Sequence, residues 1–452
     1  MDDQVYDYIV IGAGPAGIGF INTIKTHDNV KVALIELGSE MDSRTCQILQ
    51  NKTCQDCTPG QCPMIHGIGG ASLLGGYKLS CFPAGTFLNN ILSNNTSDTK
   101  CYNDILERFA NLFKLDENKT LSLEEIKIAE KYYQTKKYNF KYYKSYICEL
   151  EQFKIAYNKF LFTGINCNLD IFLQYEAWEC TLEDDNLYNI YIKKKQNKKI
   201  LKTKHIILAT GRSGSKLLKL LNDKFELGAA PNHLEVGVRI EFPTHIFPDI
   251  DKHHNDLKLL RNDVRTFCIS KNGRLSPYFA NGMYIVDGYY SKSKKTTFTN
   301  LALMYRLPEN KFNPTIQYIK NNIRKISKGI PIIQDYESLK LRQSPNLTTQ
   351  FDSSIIFFKT GNIHDIYPTD IYNILVKEII FFVESFIPKK YHNQINIIAP
   401  AIEYYWPDFP IDNNFMIKDN IYMIGDCCGK YRGILQAYVA GAALCSKLIN
   451  KI

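Results

Sequence analysis

No apolar run in these 452 residues is both long and clean enough to cross a bilayer. The most apolar stretch, Ile371 to Ile387, is broken by Lys377, Glu378 and Glu384 and reads as an amphipathic or buried helix. No basic segment followed by an apolar core precedes the first strand, which begins within a few residues of Met1, so the expectation is a cytoplasmic protein without a membrane span. Internal repeats and low-complexity linkers are also missing. The 13 cysteines are odd in number and lack the pattern of a small secreted domain, which points to reduced thiols. Charge of one sign is scarcely in excess: Lys plus Arg outnumber Asp plus Glu by 55 − 46 = 9. That bias looks mild and dispersed; it suits an anionic ligand or plain solubility and leaves nucleic acid open as a partner. With 45% hydrophobic residues, the chain can bury a real core, and its length suggests two or three domains.

What is present starts with "YDYIVIGAGPAGIGF", an apolar strand running straight into Gly12-x-Gly14-x-x-Gly17 and a helix-like run. Gly12 permits the tight turn, Gly14 admits a pyrophosphate close to the backbone, and Gly17 lets helix and strand pack closely. Pro15 and Ala16 open the helix, whose first N–H groups face the phosphates. A second strand, "VKVALIELG", ends at Glu36, which lies 19 residues after Gly17 and is placed to accept from ribose hydroxyls. The pattern predicts a dinucleotide site.

Two later segments repeat the strand-then-glycine pattern: "KHIILATGRSG", ending in Thr210-Gly211, and "NIYMIGDCCGKYRGILQAYVAGAAL", with Gly425-Asp426 before a helix. Together they resemble the FAD-binding domain of glutathione-reductase-like flavoproteins. The resemblance implies that Asp426 accepts from flavin-side hydroxyls and that the helix starting near Gly433 and Ile434 points its positive end at the flavin ring. It also implies that the strand around Ala177 supplies backbone contacts to adenine, and that Gly69, Gly70, Ala71 and Ser72 pass over the pyrophosphate. Adding the cysteine cluster, "LEVGVRIEFP", "RTFCISKNGRL" and "GDCCGKYRG", the chain resembles a bacterial group of uncharacterised FAD-dependent dehydrogenases over most of its length. That group usually ends its glycine loop Ser-Asp-Gly-Lys-Leu, where this chain has Gly75-Gly76-Tyr77-Lys78-Leu79.

Cys46, Cys54, Cys57 and Cys62 could bind zinc or an iron–sulfur cluster, act as redox thiols, or serve only in packing; the spacing matches neither a standard ferredoxin nor a zinc ribbon. Cys427 and Cys428 read either as a dithiol exchanging electrons with the flavin or as small fillers at a tight turn. Lys78 and Arg432 are candidate catalytic residues. Arg212 is placed to reach cofactor or substrate, His66 to move a proton, and Cys268 to line a substrate site; each equally suits a structural role.

The expected fold is α/β: a Rossmann-like FAD-binding domain of the glutathione-reductase type, a mixed-sheet α+β substrate domain and a helical insertion. The FAD-binding domain is discontinuous over 1–86, 165–230 and 401–452, with the insertion at 87–164 and the substrate domain at 231–400. In the insertion, Lys131 to Tyr146 interleaves bases with tyrosines, either a grip for single-stranded nucleic acid or a solvated face. No second strand-linked G-x-G-x-x-G occurs, so reductant is expected from transient NAD(P)H or from ferredoxin. The functional expectation is an FAD-dependent dehydrogenase or reductase acting on a small molecule, with an RNA-modifying flavoenzyme and a non-catalytic flavin protein as rivals.

Overall fold

The computed structural model describes residues 4–47, 50, 62–75, 78–81, 87–88, 108–109, 111, 120–230, 233–280, 282–290, 295–345, 350–404 and 407–449. The first third of the chain forms β1 (Val5–Ile11), α1 (Pro15–Ile24), β2 (Lys31–Glu36), α2 (Ala71–Leu74), β3 (Lys78–Ser80), α3 (Leu123–Thr135), β4 (Asn139–Lys141), β5 (Ser145–Ile147) and α4 (Leu150–Phe162). Next come β6 (Asn168–Leu173), β7 (Glu176–Leu182), β8 (Tyr188–Lys194), β9 (Asn197–Leu208) and α5 (Ser215–Phe225). A strand-rich stretch follows: β10 (Leu234–Pro243), β11 (Lys258–Arg261), β12 (Val264–Ser270), β13 (Arg274–Ala280), β14 (Met283–Tyr289) and β15 (Phe298–Arg306). The chain closes with α6 (Phe312–Ser327), β16 (Ile332–Asp335), α7 (Tyr336–Lys340), β17 (Lys359–Thr360), α8 (Thr369–Phe386), β18 (Asn396–Tyr404), β19 (Met416–Lys418), β20 (Ile421–Met423) and α9 (Ile434–Ile449).

One sheet runs β19-β20-β9-β1-β2-β6, with the antiparallel pair β7–β8 attached through β9. Its centre, β20-β9-β1-β2-β6, is parallel. Parallel neighbours need crossovers, and β1 and β2, buried on both sides, read as nearly unbroken apolar runs. Helix α1 links β1 to β2 and packs on α9 so closely that a Cβ on Gly19 would stand 2.1 Å from the Tyr438 carbonyl oxygen, and one on Gly441 2.0 Å from that of Ala16. Helix α4 packs beside α1. Buried Lys25, just past α1, sends Nζ to the carbonyls of Lys159 and Phe160 at 2.8 Å each, closing the α4 C-terminus.

Of the segment 87–164, expected as a helical insertion, the described residues contribute to both sheets. Helix α4 is the crossover that carries the chain from β2 to its parallel neighbour β6, so it belongs to the first sheet's own layer. Strand β4 joins the edge of the second sheet at β11, and β5 pairs with β3. Tyr133, Tyr138, Tyr143 and Tyr146 within Lys131–Tyr146 are buried, so these rings fill core instead of offering a stacking face.

The second sheet has the order β17-β16-β18-β10-β15-β12-β11-β4 and is antiparallel except for β16–β17. On β10, Val236, Val238, Ile240 and Phe242 face the apolar core shared with α6 and α8, while Glu235, Arg239 and Glu241 alternate onto the other face and are equally buried. A strand buried on both faces but charged on one demands internal partners. Arg239 donates to Asp287 at 3.2 Å, to the Cys268 carbonyl at 2.8 Å and to Asn300; Glu241 accepts from Ser353, from the Ser354 hydroxyl and from the Ser354 N–H at 3.1 Å. Among the described residues no helix is long and apolar enough to cross a membrane.

Candidate functional site

In the first sheet the chain builds outward from β1 to β2 and β6 on one side, then crosses to β9 and β20 on the other. The ends of β1 and β9 therefore part in a crevice where loops run to opposite sides, the place where open parallel sheets take ligands. Gly12 forms one lip, at φ 111° and so close to the other that a Cβ would sit 2.4 Å from the Ala209 carbonyl oxygen. Gly17 lies directly against Gly12; its Cβ would be 2.0 Å from the Gly12 carbonyl oxygen. Gly14 is the N-cap of α1, with Pro15 and Ala16 in the first turn, no side-chain cap and no acidic residue, leaving the positive end of the helix for an anion.

Over this turn lies the loop at 67–70. The Gly69 N–H donates to the Ala13 carbonyl at 2.8 Å, and a Cβ on Gly70 would reach to 3.0 Å from the Gly14 Cα. Two buried charges hold it. Glu36 accepts from the N–H groups of Ala13, Gly38 and Gly67, each at 2.8 Å. Arg44 donates to the carbonyls of Ile68 at 2.6 Å, Pro63 at 2.7 Å and Gly70 at 2.8 Å. Sequence reasoning gave Glu36 to ribose and passed over Arg44; the structure makes both fasteners of the glycine loop, with one of the four acceptor sites of Glu36 uncommitted to these bonds. Ser72, expected to face phosphate, instead donates to the Gly69 carbonyl at 2.6 Å and meets the Tyr157 hydroxyl at 2.7 Å, because α4 packs against this turn. Ala71 opens the short α2. Ala177 is buried on β7, just past the corner where Tyr175 N–H bonds the Glu36 carbonyl at 3.0 Å.

From the other side, β9 ends before Thr210 and Gly211, and β20 before Gly425 and Asp426. Gly425 touches α1, with a Cβ 2.8 Å from that of Ala16, and Gly433 precedes Ile434 at the start of α9. Asp426 is held by two guanidiniums: Arg212 Nε at 2.7 Å and Arg432 Nε at 3.0 Å. Both arginines also bind Glu403 at the end of β18, Arg212 at 2.6 Å, so the nucleotide-side turn is tied to the second sheet. Cys427 and Cys428 are fully buried under this turn. Cys427 Sγ contacts the Leu208 and Ile424 carbonyls at 3.3 and 3.2 Å, and burial pushes its thiol up to about 12. Cys428 Sγ contacts the Gly425 carbonyl at 3.2 Å and is also pushed up by burial. Enclosed, protonated thiols are poor nucleophiles, and of the two readings this placement favours small fillers at a tight turn over a dithiol.

Lys78 faces the second sheet, where its ammonium bonds the Ile269 carbonyl and pairs with Asp256 at 3.5 Å. Asp256 also takes Lys258 at 2.7 Å and the Tyr143 hydroxyl at 3.1 Å. Burial alone would raise this carboxyl, but Lys258 and Lys78 hold it well below the ordinary range. His254 accepts the Asp256 N–H at 2.8 Å and turns Nε2 to the Tyr143 carbonyl at 2.7 Å; burial lowers its pKa to about 4, so it is a neutral spacer. Beside this group opens a cleft of about 210 Å³, lined among others by Lys78, Lys271, Lys295, Asp251, Asn272 and Tyr290. Cys268 lies at a bulge in β12 with φ 44°, its carbonyl pinned by Arg239. The cleft adjoins the crevice through β3, whose Ser80 carbonyl accepts from Gln436 in the first turn of α9 at 2.8 Å.

His66 is buried; its Nδ1 meets the Cys62 carbonyl at 3.2 Å, and burial lowers its pKa, as suits a loop-fixing residue. Of the four clustered cysteines, Cys54 and Cys57 lie outside the described residues. Cys46 and Cys62 are buried with Met64 and Leu74. Among the described residues no group of three or more His, Cys, Asp or Glu side chains could hold a metal ion.

The fold is a mixed α/β architecture with a largely parallel sheet and a largely antiparallel one. No family model and no curated protein matches the chain. Among solved structures, a geranylgeranyl bacteriochlorophyll reductase-like protein from Thermoplasma acidophilum aligns with 12% identity over 99% of this chain and 79% of that one, at a TM-score of 0.41.

Proposed function

We propose that the protein is an FAD-dependent oxidoreductase, with a nucleotide-binding fold of the glutathione-reductase type, acting on a small molecule. The observation that carries this reading is the β1–β9 crevice, where the uncapped start of α1 meets a glycine loop and two carboxylates, Glu36 and Asp426, stand at separate strand ends. The residues present fit such a group. Side chains are absent where a pyrophosphate would lie, at Gly14 and Gly70, and Gly211 has nothing within 4 Å of its Cβ position. A flavin dinucleotide is favoured over a nicotinamide one because the C-terminal segment returns to the crevice with Asp426 and α9, as in the flavoproteins this sequence resembles.

When bound, FAD supplies hydride or electron transfer at its ring. The chain supplies the surroundings. Gly12, Gly14 and Gly17 bring backbone close to phosphates, and α1 offers them its positive end. Asp426 keeps acceptor capacity beyond its two arginine bonds. Arg212 and Arg432 fix Asp426 relative to the second sheet, which is thereby held in register with the nucleotide. The cleft beside Lys78 is the proposed substrate entrance; Lys78 is paired with Asp256 and Lys271 with Asp251 at 2.7 Å, so Lys295 is the lining cation to meet an anionic group on the substrate. Among the described residues no second largely parallel sheet occurs, so NAD(P)H or a ferredoxin would dock transiently.

The test is the absorption spectrum of the purified protein, with the released cofactor identified by chromatography after heat denaturation. Resolved flavin bands, FAD as the released species and reversible photoreduction are expected. A protein that neither carries nor takes up FAD on reconstitution overturns the proposal, whereas a flavin that resists reduction in the folded state leaves a binding role without oxidoreductase chemistry.

A further inference from the structure

The lysines are not evenly spread. Residues 193–204, KKKQNKKILKTK, contain seven lysines and no acidic residue, +7 within a chain of net +9. The structure folds them into the β8–β9 hairpin, where Lys193 pairs with Lys198 and Lys194 with Asn197, and Lys195 turns the tip at φ 53°. Opposed residues share a face and successive ones alternate. One face therefore carries Lys193, Lys198 and Lys202 around Ile200, which is 58% exposed; the other carries Lys194 and Lys199. Pairing of β9 with β1 begins only at Lys202, so residues 197–201 run past that strand. Lys193 is paired with Glu176 at 3.0 Å and Lys204 with Asp7 at 2.8 Å. Among the described residues no ion pair engages Lys195, Lys198, Lys199 or Lys202.

We propose that this hairpin grips the phosphate backbone of nucleic acid without reading its sequence. Positive charge concentrated at one sheet corner, with four of its lysines in no ion pair among the described residues, is the footprint of a polyanion partner. The cations are all lysine, point charges on flexible stems that lack the guanidinium fork used to read bases. Because β7 pairs β8 as far as Lys193, the lysines form the corner of a three-stranded sheet, and charge on both faces, at the tip and along the β9 edge suits a strand wrapped around that corner. A flat membrane would engage one face only. The nearby rings are taken: Lys193 and Lys199 each lie 5.7 Å from the centroids of Trp178 and Phe172, respectively, so phosphates and not stacked bases are the expected contacts. This inference stands independently of the flavin reading.

The test is fluorescence anisotropy of the full-length protein with labelled RNA and DNA single strands of about 20 nucleotides, and a DNA duplex of similar length, from about 50 to about 200 mM salt. Four phosphate contacts would weaken binding about 50-fold across that range for a single strand and about 150-fold for a duplex. The arms identify which nucleic acid is held. Replacing Lys195, Lys198, Lys199 and Lys202 by Gln should flatten the salt slope by about 3 and weaken low-salt binding at least about tenfold. Lys198→Gln alone should lower the slope by about 0.7 to 0.9, which keeps the test open should the fourfold variant fold poorly. Unchanged affinity and slope in both variants overturns the proposal. So does sedimentation with phosphatidylserine vesicles by a protein that binds none of the nucleic acids. Lysines that only guard a strand edge against pairing predict no binding at low salt and self-association of the fourfold variant, and that result also overturns it.

Discussion

Replacing Arg44 by Met should release the glycine loop from the crevice. The guanidinium is buried, 5% exposed, and makes its three shortest bonds, 2.6 to 2.8 Å, to the carbonyls of Pro63, Ile68 and Gly70. Hydrogen bonds to a charged group contribute about 1.5–3 kcal/mol each, and such contributions are not additive. Allowing for the guanidinium desolvation that Met avoids, the expected cost is about 4 kcal/mol. Methionine fills much of the volume, so the loss falls on the loop and not on a cavity. Local opening of that size raises amide exchange across 62–75 by roughly three decades at most, while peptides from β1 and β9 stay protected. Nucleotide affinity should fall with it, since Gly69 and Gly70 no longer rest on Ala13 and Gly14. Arg44→Lys keeps the charge but offers three donors without a fork and should lie between wild type and Met. Hydrogen-exchange mass spectrometry and FAD titration of the apoprotein measure both effects. Wild-type protection at 62–75 together with FAD affinity within about twofold in R44M would refute the argument that Arg44 fastens this loop.

Burial raises the Glu241 carboxyl to about 7, against 4.5 for a free glutamate, despite hydrogen bonds from Ser353 and Ser354. The folded protein thus holds this proton more tightly than the unfolded chain. On this group's account stability is greatest below pH 4.5 and declines as pH rises through about 7, by on the order of 3 kcal/mol. Glu241→Gln should remove that slope, read as a smaller loss of denaturation midpoint between pH 5 and 8; an unaltered slope would count against it. In a reductive titration, C427S/C428S should consume the same electron equivalents per flavin as wild type, because both thiols are buried; two fewer equivalents would restore the dithiol. Gly19→Ala places a methyl 2.1 Å from the Tyr438 carbonyl oxygen and should cost about 3 kcal/mol in thermal or chemical denaturation, with loss of retained nucleotide. A variant as stable as wild type would mean that α1 and α9 can separate freely.

The parts of the site that the sequence exposes are those written in short-range code. An apolar strand followed at once by glycine marks Gly12, Thr210-Gly211 and Gly425-Asp426, and all three turns end neighbouring parallel strands. Glu36 is visible through its spacing, though its bond to Gly67 is not, because that depends on a loop 31 residues away in sequence. Arg44 carries no local pattern at all: the loop groups it holds are the main-chain carbonyls of Pro63, Ile68 and Gly70. In "LEVGVRIEFP" the alternation suggests a solvent face, yet Glu235, Arg239 and Glu241 are buried by partners from β14, β15, β12 and the 350s. Composition averaged over the chain likewise hid the lysine hairpin, and Tyr133 and Tyr138 read as surface because nothing local says that they pack against α8 and the second sheet.

The close seating of α1 on α9 has a consequence in time. Ala16 and Gly441, whose backbones touch, are 425 residues apart, so a ribosome adding roughly 5–20 residues per second exposes the first helix for about 20–85 s before its partner emerges. During that interval β9 has no β20 to pair with, and the apolar side of α1 is only partly covered, by α4. The crevice therefore cannot be completed as the nascent chain lengthens; its two walls join in one late step. Newly made protein should depend on holdase chaperones until that step, and a nucleotide that bridges both walls would act as the staple that makes it hard to reverse.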